Sequence, residues 1–448
     1  MLTLRTIAAT AAIMLQATLL AGNAAAQSVK DDFKQNINRA GSNSYAYPGP
    51  TSTLTAAPKG YEPCYLSHYG RHGSRYHIGS VYSRTYKLLQ KADAAGVLTE
   101  RGKQLLDEVR QLRDEAAGRD GELTELGAQQ HMQIAERMFN NFPQIFKKPG
   151  THIDAKSTVV IRCILSMESA LQQLKSMNPD LDIRHDASYH DMYFMNQDDS
   201  VIYAAKRKYH STLKGYREAR IHPERLMPLL FTQETYWRDS INAQSLMKDI
   251  SGLALHIQNS EIRHRMDLTP LFTQDELYDI WKTNNAYWYM TYGPSPVTDG
   301  IQPYSQRNLL HKIISEADSC LQHDNCGVNL RYGHDTMVMP LTCLLELDNT
   351  NQQIQDLDSL PLKGWCDYRI FPMACNLQFV FYRSTGAKAG TADKDSRGKD
   401  ILVKVLRNEN EARLPIKTKT FPYYKWSDVK AYYLDKLAKY EATRGVNN

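Results

Sequence analysis

The stretch of sequence that decides the fold is CYLSHYGRHGSR, residues 64–75. Its first half, Cys64 to Tyr69, is mostly apolar and aromatic, which predicts a short buried β-strand. Its second half places two glycines among charged side chains, which predicts a loop where that strand leaves the sheet. In α/β proteins ligands bind beyond the carboxyl ends of strands, so this loop is the first place to look for a functional site.

Helix and strand patterns alternate along the rest of the chain. Thr124 is placed as the N-cap of a long amphipathic helix, and the β-branched run 157–161 predicts a buried strand that ends at Arg162. The predicted strands are 64–69, 157–161, 328–333, 378–383 and 401–406, and the predicted helices are about 80–95, 99–117, from 124 onward, 167–176, 337–345 and 426–440. This alternation predicts an α/β fold with a central, mainly parallel sheet flanked by helices.

Composition divides the chain into parts. Residues 1–26 carry a positive charge, then a short apolar segment, then small residues, which is typical of a secretory signal peptide. Residues 27–180 and 301–448 are expected to form an α/β domain. Residues 181–300 are dense in Tyr, Trp, Met and charged residues at helical spacing, and are expected to form an inserted, mainly α-helical cap domain. No other uncharged apolar run reaches about 18 residues, so no membrane span is predicted and we expect a periplasmic or secreted protein.

Charge and cysteine content narrow the possible partners. A formal net charge of +5 is weak for 448 residues, so nucleic acid is not an expected partner. In an oxidising compartment Cys320 with Cys326, or Cys366 with Cys375, could close short loops, and the total of seven leaves at least one free thiol. No cysteine spacing matches a zinc site, and no His and Asp cluster has coordinating spacing. We therefore expect no metal and no other cofactor.

Two arginines flank a histidine in the loop after the first strand. The guanidinium groups of Arg71 and Arg75 offer planar forks of donors that fit phosphate oxygens, and Gly73 lets the backbone approach closely. The adjacent positive charge disfavours the imidazolium form of His72 and leaves a nitrogen lone pair for attack. The pattern predicts a nucleophilic histidine in a phosphate clamp. Taken alone, a histidine between arginines is more often a surface cluster.

A second group of polar residues follows the predicted strand 328–333. His334 is placed to donate a hydrogen bond to a phosphate oxygen, and Asp335 to deliver a proton to the departing alkoxide, a poor leaving group near neutral pH. Arg162 is placed to reach a third phosphate oxygen. The alternatives are that Asp335 caps the following helix and that Arg162 forms a salt bridge. Three strand ends that offer these groups to one sheet edge favour the functional interpretation.

These motifs resemble those of the histidine acid phosphatases of the histidine phosphatase superfamily. The resemblance rests on residues 71–75, the helix start 123–127, residues 157–162 and the pair 334–335, in the family's order. It implies a phosphoglycerate mutase-like α/β domain with an α-helical domain, and metal-independent hydrolysis through a phosphohistidine on His72. Within the family the chain looks most like the multiple inositol polyphosphate phosphatases, which implies phytate or lower inositol phosphates as small-molecule substrates.

Two positions depart from the family pattern. His77 stands where many relatives have proline, and residues 334–336 are His-Asp-Thr where inositol polyphosphate phosphatases commonly have His-Ala-Glu. A highly phosphorylated ring needs positive charge away from the reacting phosphate, and the predicted cap offers Arg184, Lys206 and Lys208, together with His185, Arg207 and Lys214. A solvated basic helix face is the alternative. Two other functions stay open: a broad acid phosphatase acting on sugar phosphates, and a noncatalytic phosphate-binding protein of the cell envelope.

Overall fold

One mixed β-sheet forms the centre of the molecule. The computed structural model describes residues 29–196, 199–323, 327–385 and 401–445; the predicted signal peptide and Cys326 lie outside these ranges. The strands within them form an eight-stranded sheet. They are β1 Tyr61–Arg71, β2 His152–Ser157, β3 Asp182–Asp186, β4 Val328–Gly333, β5 Asn376–Ser384, β6 Ile401–Arg407, β7 Asn410–Glu411 and β8 Tyr424–Lys425.

Helices pack on the sheet and on one another. The longer ones are α1 Val81–Ala94, α2 Glu100–Glu115, α3 Glu125–Asn141, α4 Ile161–Met177, α5 Ser200–Lys206, α6 His210–Glu218, α7 Ala243–His256, α8 Gln274–Tyr292, α9 Arg307–His323, α10 Asp335–Leu344 and α11 Trp426–Gly445. Short helical turns lie at Pro143–Phe146, Met192–Met195, Met227–Leu230 and Asp367–Ile370, and a 3₁₀ helix at Ile37–Ser44. Among the helices described, none combines the length and apolar character that crossing a bilayer requires.

The sheet has a parallel half and an antiparallel half. The strand order is β3-β2-β4-β1-β5-β6-β7, with β8 beside β6. The pairs β1–β4, β4–β2 and β2–β3 are parallel, whereas β5 to β8 are antiparallel to their neighbours. At the junction, Arg71 at the end of β1 pairs with Gly333 of β4, and Tyr61 at its start pairs with Ser384 of β5. The carboxyl ends of the parallel strands therefore meet at one edge. The predicted α/β fold with a central, mainly parallel sheet is confirmed.

The central strands β1, β4 and β5 are buried on both faces of the sheet. Along β1 the side chains alternate, as the two-residue period of a strand requires. Tyr65 and Tyr69 join a cluster with buried residues of α9, α10 and α11. Leu66 joins a second cluster with buried residues of α3 and α4. Helices on both faces hold the sheet edge in place and so fix the loops that leave it.

A third cluster joins helices from separate parts of the chain. It contains α1 and α2 together with α7 and the first half of α8. Strand β3, from within the segment 181–300, adds to the sheet by pairing with β2. The division of the chain into an α/β domain and a helical insertion at 181–300 stays a prediction.

The second strand lies earlier than the sequence pattern indicated. The strand β2 is His152–Ser157, while Val160 is the N-cap of α4, so 157–161 is not a strand and Arg162 lies in the first turn of a helix. Burial alternates along β2, with Ile153 and Ala155 inside and polar residues between them. This half-polar pattern is a weaker strand signal than the β-branched run beyond it. Tertiary packing overrides the strand propensity of that run.

One of the two disulfide pairings considered from the sequence is wrong. Cys366 and Cys375 are separate buried thiols, and burial raises the pKa of each. The other pairing includes Cys326, which lies outside the described residues.

Candidate active site

The loop after β1 is fixed from several sides. The N–H of His72 donates to the carbonyl oxygen of Gly333 at 2.9 Å, and the carbonyl of His72 accepts from the N–H of Ala374 at 3.0 Å. The N–H of Gly73 donates to Oγ of Ser166 at 3.1 Å. These bonds tie the loop to β4, to the segment before β5 and to α4. Its side chains therefore have defined positions.

Two glycines let this loop touch α3. A Cβ on Gly73 would lie 2.3 Å from the carbonyl oxygen of Gly127, and a Cβ on Gly127 would lie 2.2 Å from the carbonyl oxygen of Ser74. Neither position accepts another residue unless the backbone moves. Thr124 caps α3 by accepting from the N–H of Gly127 at 3.3 Å, and its own N–H donates to the carbonyl of Ser74 at 3.0 Å. The predicted N-cap is confirmed, and it also fastens the loop.

His72 is an almost fully buried, neutral imidazole, with 2% of its surface exposed. Its Nδ1 lies 2.9 Å from the carbonyl oxygen of Gly73. Because a carbonyl oxygen only accepts, Nδ1 carries the proton and Nε2 keeps its lone pair. Burial, followed by the positive charge of neighbouring arginines, holds the pKa of His72 well below its ordinary value. The ring therefore stays uncharged at neutral and mildly acid pH.

The guanidinium group of Arg71 is completely buried and held at its far end. Its Nη1 donates to the carbonyls of Asn43 and Phe371 at 2.7 and 3.1 Å. Its Nη2 lies 2.8 Å from Oδ2 of Asp335. The orientation of this guanidinium group is therefore fixed before any ligand binds.

Arg75 and Arg162 add positive charge around His72. Burial, followed by Arg71, lowers the pKa of Arg75 to about 9, which leaves it charged at neutral pH. Arg162, from the first turn of α4, acts on the charge of His72. Within the part of the chain that the structure describes, the Nε atoms of Arg71, Arg75 and Arg162 are buried and have no hydrogen-bond partner. Unsatisfied buried donors are costly unless a ligand accepts from them, so these arginines form an anion-binding site.

His334 lies across the site from His72. The two ring centroids are 5.9 Å apart, and Nε2 of His334 lies 3.1 Å from Oγ1 of Thr158. Burial, followed by the charge of Arg162, lowers the pKa of His334 to about 4. A neutral imidazole has one N–H, which can donate to Thr158 or to an anion oxygen.

Asp335 is an ionised carboxylate held by one ion pair and two hydrogen bonds. Its Oδ2 accepts from Nδ2 of Asn43 at 3.1 Å and lies 2.8 Å from Nη2 of Arg71, and its Oδ1 accepts from the N–H of Thr336 at 2.9 Å. Burial alone would raise the pKa of Asp335, but Arg71 and the bond from Asn43 outweigh it, so the pKa lies below its ordinary value. The N-cap of α10 is His334, with Asp335 as the first helical residue. The alternative that Asp335 is the cap is therefore wrong.

A cavity of about 920 Å³ lies beside this centre. Asn43 lines it and links it to Asp335. Two cations on separate helices, Arg217 of α6 and Lys248 of α7, also line it. Nε of Arg217 is buried without a hydrogen-bond partner, and burial, followed by Arg217, lowers the pKa of Lys248 to about 8. The acidic residue of the cavity wall, Asp249, is neutralised by an ion pair with Arg84.

The cap residues predicted to bind substrate do not line this cavity. Lys208 forms a surface ion pair with Asp299. Arg184 lines a different cavity, beside β2 and β3. Lys206 lines a third cavity, of about 350 Å³, that also includes Thr336 at the start of α10. Thr336 directly follows Asp335 in the chain, so the cavity that Lys206 lines borders the reaction centre.

Three residues of the site carry no recognisable signal in the sequence. Asn43 belongs to a polar, Pro- and Gly-containing arm that reads as surface wrapping. Arg217 and Lys248 read as ordinary polar positions on helices. Their place beside the loop depends on how distant segments pack, which neither motif nor spacing encodes.

Metal-binding geometry does not occur in the described ranges. They contain no group of three or more His, Cys, Asp or Glu side chains that could hold a metal ion. The positive charge that an anion meets at this site comes from arginine and lysine side chains.

Comparisons with known proteins give the family and the fold. The family model "Histidine phosphatase superfamily (branch 2)" matches residues 70–408. A search of curated protein sequences gave no match. The fold is similar to that of the Bifidobacterium longum multiple inositol polyphosphate phosphatase in complex with inositol hexasulfate, with a TM-score of 0.68 and 18% identity over 88% of this chain and 97% of that chain.

Two phytase structures are also similar. The phytase from D. castellii has a TM-score of 0.62 and 14% identity, covering 90% of this chain and 86% of that chain. The apo form of Hafnia alvei phytase has a TM-score of 0.50 and 15% identity, covering 85% of this chain and 98% of that chain. At these identities the likeness establishes the fold. The family model, which spans most of the chain and both motifs, establishes more: the chain belongs to the histidine phosphatase superfamily, branch 2, and is a phosphoric monoester hydrolase.

Proposed function

We propose that this protein is an exported phosphomonoesterase that hydrolyses inositol polyphosphates such as phytate through a phosphohistidine on His72. One observation carries the proposal: the unprotonated Nε2 of His72 lies among three arginines whose buried Nε donors lack partners. A phosphate group has oxygens to satisfy those donors and a phosphorus atom for the lone pair to attack.

In the first step the Nε2 lone pair of His72 forms a bond to phosphorus while the P–O bond to the leaving group breaks. The electron pair of that bond stays on the leaving oxygen, which takes the proton of Asp335 and departs as an alcohol. The arginines stabilise the charge on the remaining phosphate oxygens. His334 donates one further hydrogen bond to them.

In the second step water replaces the histidine on phosphorus. A water oxygen forms the new P–O bond, and the carboxylate of Asp335 accepts the proton that water loses. The electron pair of the P–N bond returns to Nε2 of His72, and inorganic phosphate leaves. Both residues end in the protonation states in which they began.

The ion pair between Arg71 and Asp335 couples substrate binding to protonation. In the free site Arg71 helps to hold the pKa of Asp335 low, although burial opposes this. A bound phosphate takes up the charge of Arg71, so the pKa of Asp335 rises when substrate arrives. Hydrolysis of alkyl phosphates is therefore expected to be fastest in acid, where Asp335 gains its proton and His72 stays neutral.

The cavity supports a substrate with several phosphates. Arg217 and Lys248 place positive charge outside the group that surrounds His72, where phosphates not undergoing reaction would lie. The similar Bifidobacterium longum phosphatase is described in complex with inositol hexasulfate, a sulfate analogue of phytate. Export rests on the signal-peptide pattern of residues 1–26, and N-terminal sequencing of the mature protein tests it.

The experiment that tests the function follows phosphate release from phytate and from para-nitrophenyl phosphate, with and without a chelator. Wild type is expected to release phosphate from both, with preference for phytate and no effect of the chelator. His72→Ala is expected to lower both rates by about a thousandfold or more with an unchanged melting temperature, because the nucleophile is lost. His185→Ala, which alters a surface histidine paired with Glu168, is the matched control.

Each alternative has its own outcome in this experiment. Equal efficiency on both esters would favour a broad acid phosphatase. Phytate binding without phosphate release would favour a noncatalytic binding protein. Activity retained in His72→Ala would remove the phosphohistidine from the mechanism.

A further inference from the structure

A residue from the N-terminal arm reaches the reaction centre. Asn43 lies near the end of the 3₁₀ helix Ile37–Ser44. Its Nδ2 donates to Oδ2 of Asp335 at 3.1 Å, and its main-chain carbonyl accepts from Nη1 of Arg71 at 2.7 Å. One residue therefore contacts both the carboxyl that must carry the proton and the arginine that must bind the phosphate.

A buried carboxylate holds the turn that delivers Asn43. The preceding residue, Ser42, has φ 55° and ψ −126°, a backbone conformation that is strained for a residue other than glycine. Oγ of Ser42 donates to Asp367, which is completely buried and also accepts from Nε1 of Trp281 at 2.8 Å and the N–H of Tyr368 at 2.7 Å. A strained turn held by buried hydrogen bonds beside a reactive centre is evidence of function.

The arm is also fastened beyond Asn43. The carbonyl of Ser44 accepts from Nδ2 of Asn259 at 2.7 Å, and Oδ1 of the same buried asparagine accepts from Oγ of Ser74 at 2.7 Å. Ser74 lies in the loop beside Arg75. The position of the arm therefore does not depend on the side chain of Asn43, which can be replaced without releasing the segment.

We propose that Asn43 is a positioning residue for Asp335, and this inference rests on the proposed function. In the free site Oδ2 of Asp335 is held by the ion pair with Arg71 and by the hydrogen bond from Asn43. When the substrate phosphate takes the donors of Arg71, Asn43 is the side chain that still holds Oδ2. It keeps the carboxyl aimed at the leaving oxygen, so its loss is expected to act on the step in which that oxygen takes the proton.

Asn43 is proposed to act on the pKa of Asp335, and other groups near that carboxyl also influence this pKa. The charged and titratable groups that interact electrostatically with Asp335 are Arg71, Arg75, His334, Tyr287, Tyr292, Cys163 and Cys375. All of them remain when Asn43 is replaced, and so does the main-chain carbonyl that holds Arg71.

The test compares esters whose leaving groups differ in their need for a proton. Glycerol phosphate releases an alkoxide, whereas para-nitrophenyl phosphate releases a stable phenolate. Asn43→Ala is expected to lower kcat on glycerol phosphate by about tenfold, the value of one hydrogen bond to a charged group, and to change the rate on para-nitrophenyl phosphate by less than about twofold. Asp335→Asn is the benchmark: it shows the same preference with a larger loss.

The pH profile of kcat gives a second test, because it would not shift if Asn43 had only a structural role. Loss of the donor raises the pKa of Asp335, so the alkaline limb on glycerol phosphate is expected at higher pH in Asn43→Ala. The nearly isosteric Asn43→Asp adds a negative charge, so its alkaline limb is expected at still higher pH. Asn38→Ala, on the same 3₁₀ helix, is the control.

The outcomes separate this inference from the function on which it rests. An inactive wild type would overturn both proposals. Active wild type, with equal losses on the two esters or an unmoved alkaline limb in both Asn43 variants, would overturn only the role of Asn43.

Discussion

The positive charges of the reaction centre and those of the neighbouring cavity are held in different ways. In the centre, Arg71 is completely buried and fixed by two main-chain carbonyls and by Asp335. In the cavity, Arg217 and Lys248 are only partly buried, and Nε of Arg217 lacks a partner. The guanidinium carbon of Arg217 lies 5.9 Å from the ring centroid of Tyr287, a cation–π contact.

This difference indicates that the reaction centre serves the chemical step, whereas the cavity serves recognition of the substrate. A group held rigidly before binding suits the phosphate that reacts, because its oxygens must be met in one geometry. Long side chains with room to turn suit phosphates whose positions vary between substrates. Changes in the centre are therefore expected to act on every substrate, and changes in the cavity only on highly phosphorylated ones.

The largest expected effect is in the centre. Arg75→Ala removes donors from the reacting phosphate, so we expect kcat/KM to fall by about 100-fold to 1000-fold, equally for phytate and para-nitrophenyl phosphate. Steady-state kinetics on the two substrates measure the effect, and Arg75→Lys shows whether the planar fork or only the charge is needed. A loss confined to phytate would place Arg75 in recognition instead.

A smaller and selective effect is expected in the cavity. Arg217→Ala and Lys248→Ala should each raise KM for phytate by about tenfold, since each removes one charged hydrogen bond, and leave KM for para-nitrophenyl phosphate unchanged. Lys208→Ala, which alters a surface lysine paired with Asp299, is the matched control. A similar rise of KM for both substrates, or a rise in Lys208→Ala, would contradict the separate roles of the centre and the cavity.

The smallest effect depends on pH. Because burial and then Arg217 lower the pKa of Lys248 to about 8, this side chain is charged below that pH and loses its charge above it. Inositol hexasulfate keeps a constant charge over this range, so its Kd, measured by calorimetry, is expected to rise by about threefold as the pH passes 8. In Lys248→Arg the cation persists and the rise should disappear. If the Kd still rises in Lys248→Arg, a group other than Lys248 titrates over this pH range.

The motif residues could be placed from sequence because parallel strands present their carboxyl ends at one edge. Residues 71–75 follow β1 and residues 334–335 follow β4, and pairing of Arg71 with Gly333 brings them together. Arg162 was placed at this edge through a strand that does not exist. It reaches the site from the helix α4, whose N-terminus lies just past the end of β2.

The remaining residues could not be predicted because tertiary packing places them. Asn43 depends on the strained turn at Ser42 and its bond to Asp367, residues more than three hundred positions apart. Arg217 and Lys248 meet because α6 and α7 line the same cavity. Substrate binding by the basic residues of the cap stays a prediction, and the structure pairs Lys208 with Asp299, a partner that no local pattern reveals.

The antiparallel half of the sheet provides an attachment site far from the reaction centre of this enzyme. Because β5 runs against β1, its last residue, Ser384, pairs with Tyr61, the first residue of β1, and β6 begins at Ile401 opposite Arg383. These two strand ends therefore lie about 30 Å from His72, the length of β1. A fluorophore or affinity tag attached at Thr385, which follows β5 and is exposed, would report on the molecule, or anchor it to a surface, without obstructing turnover.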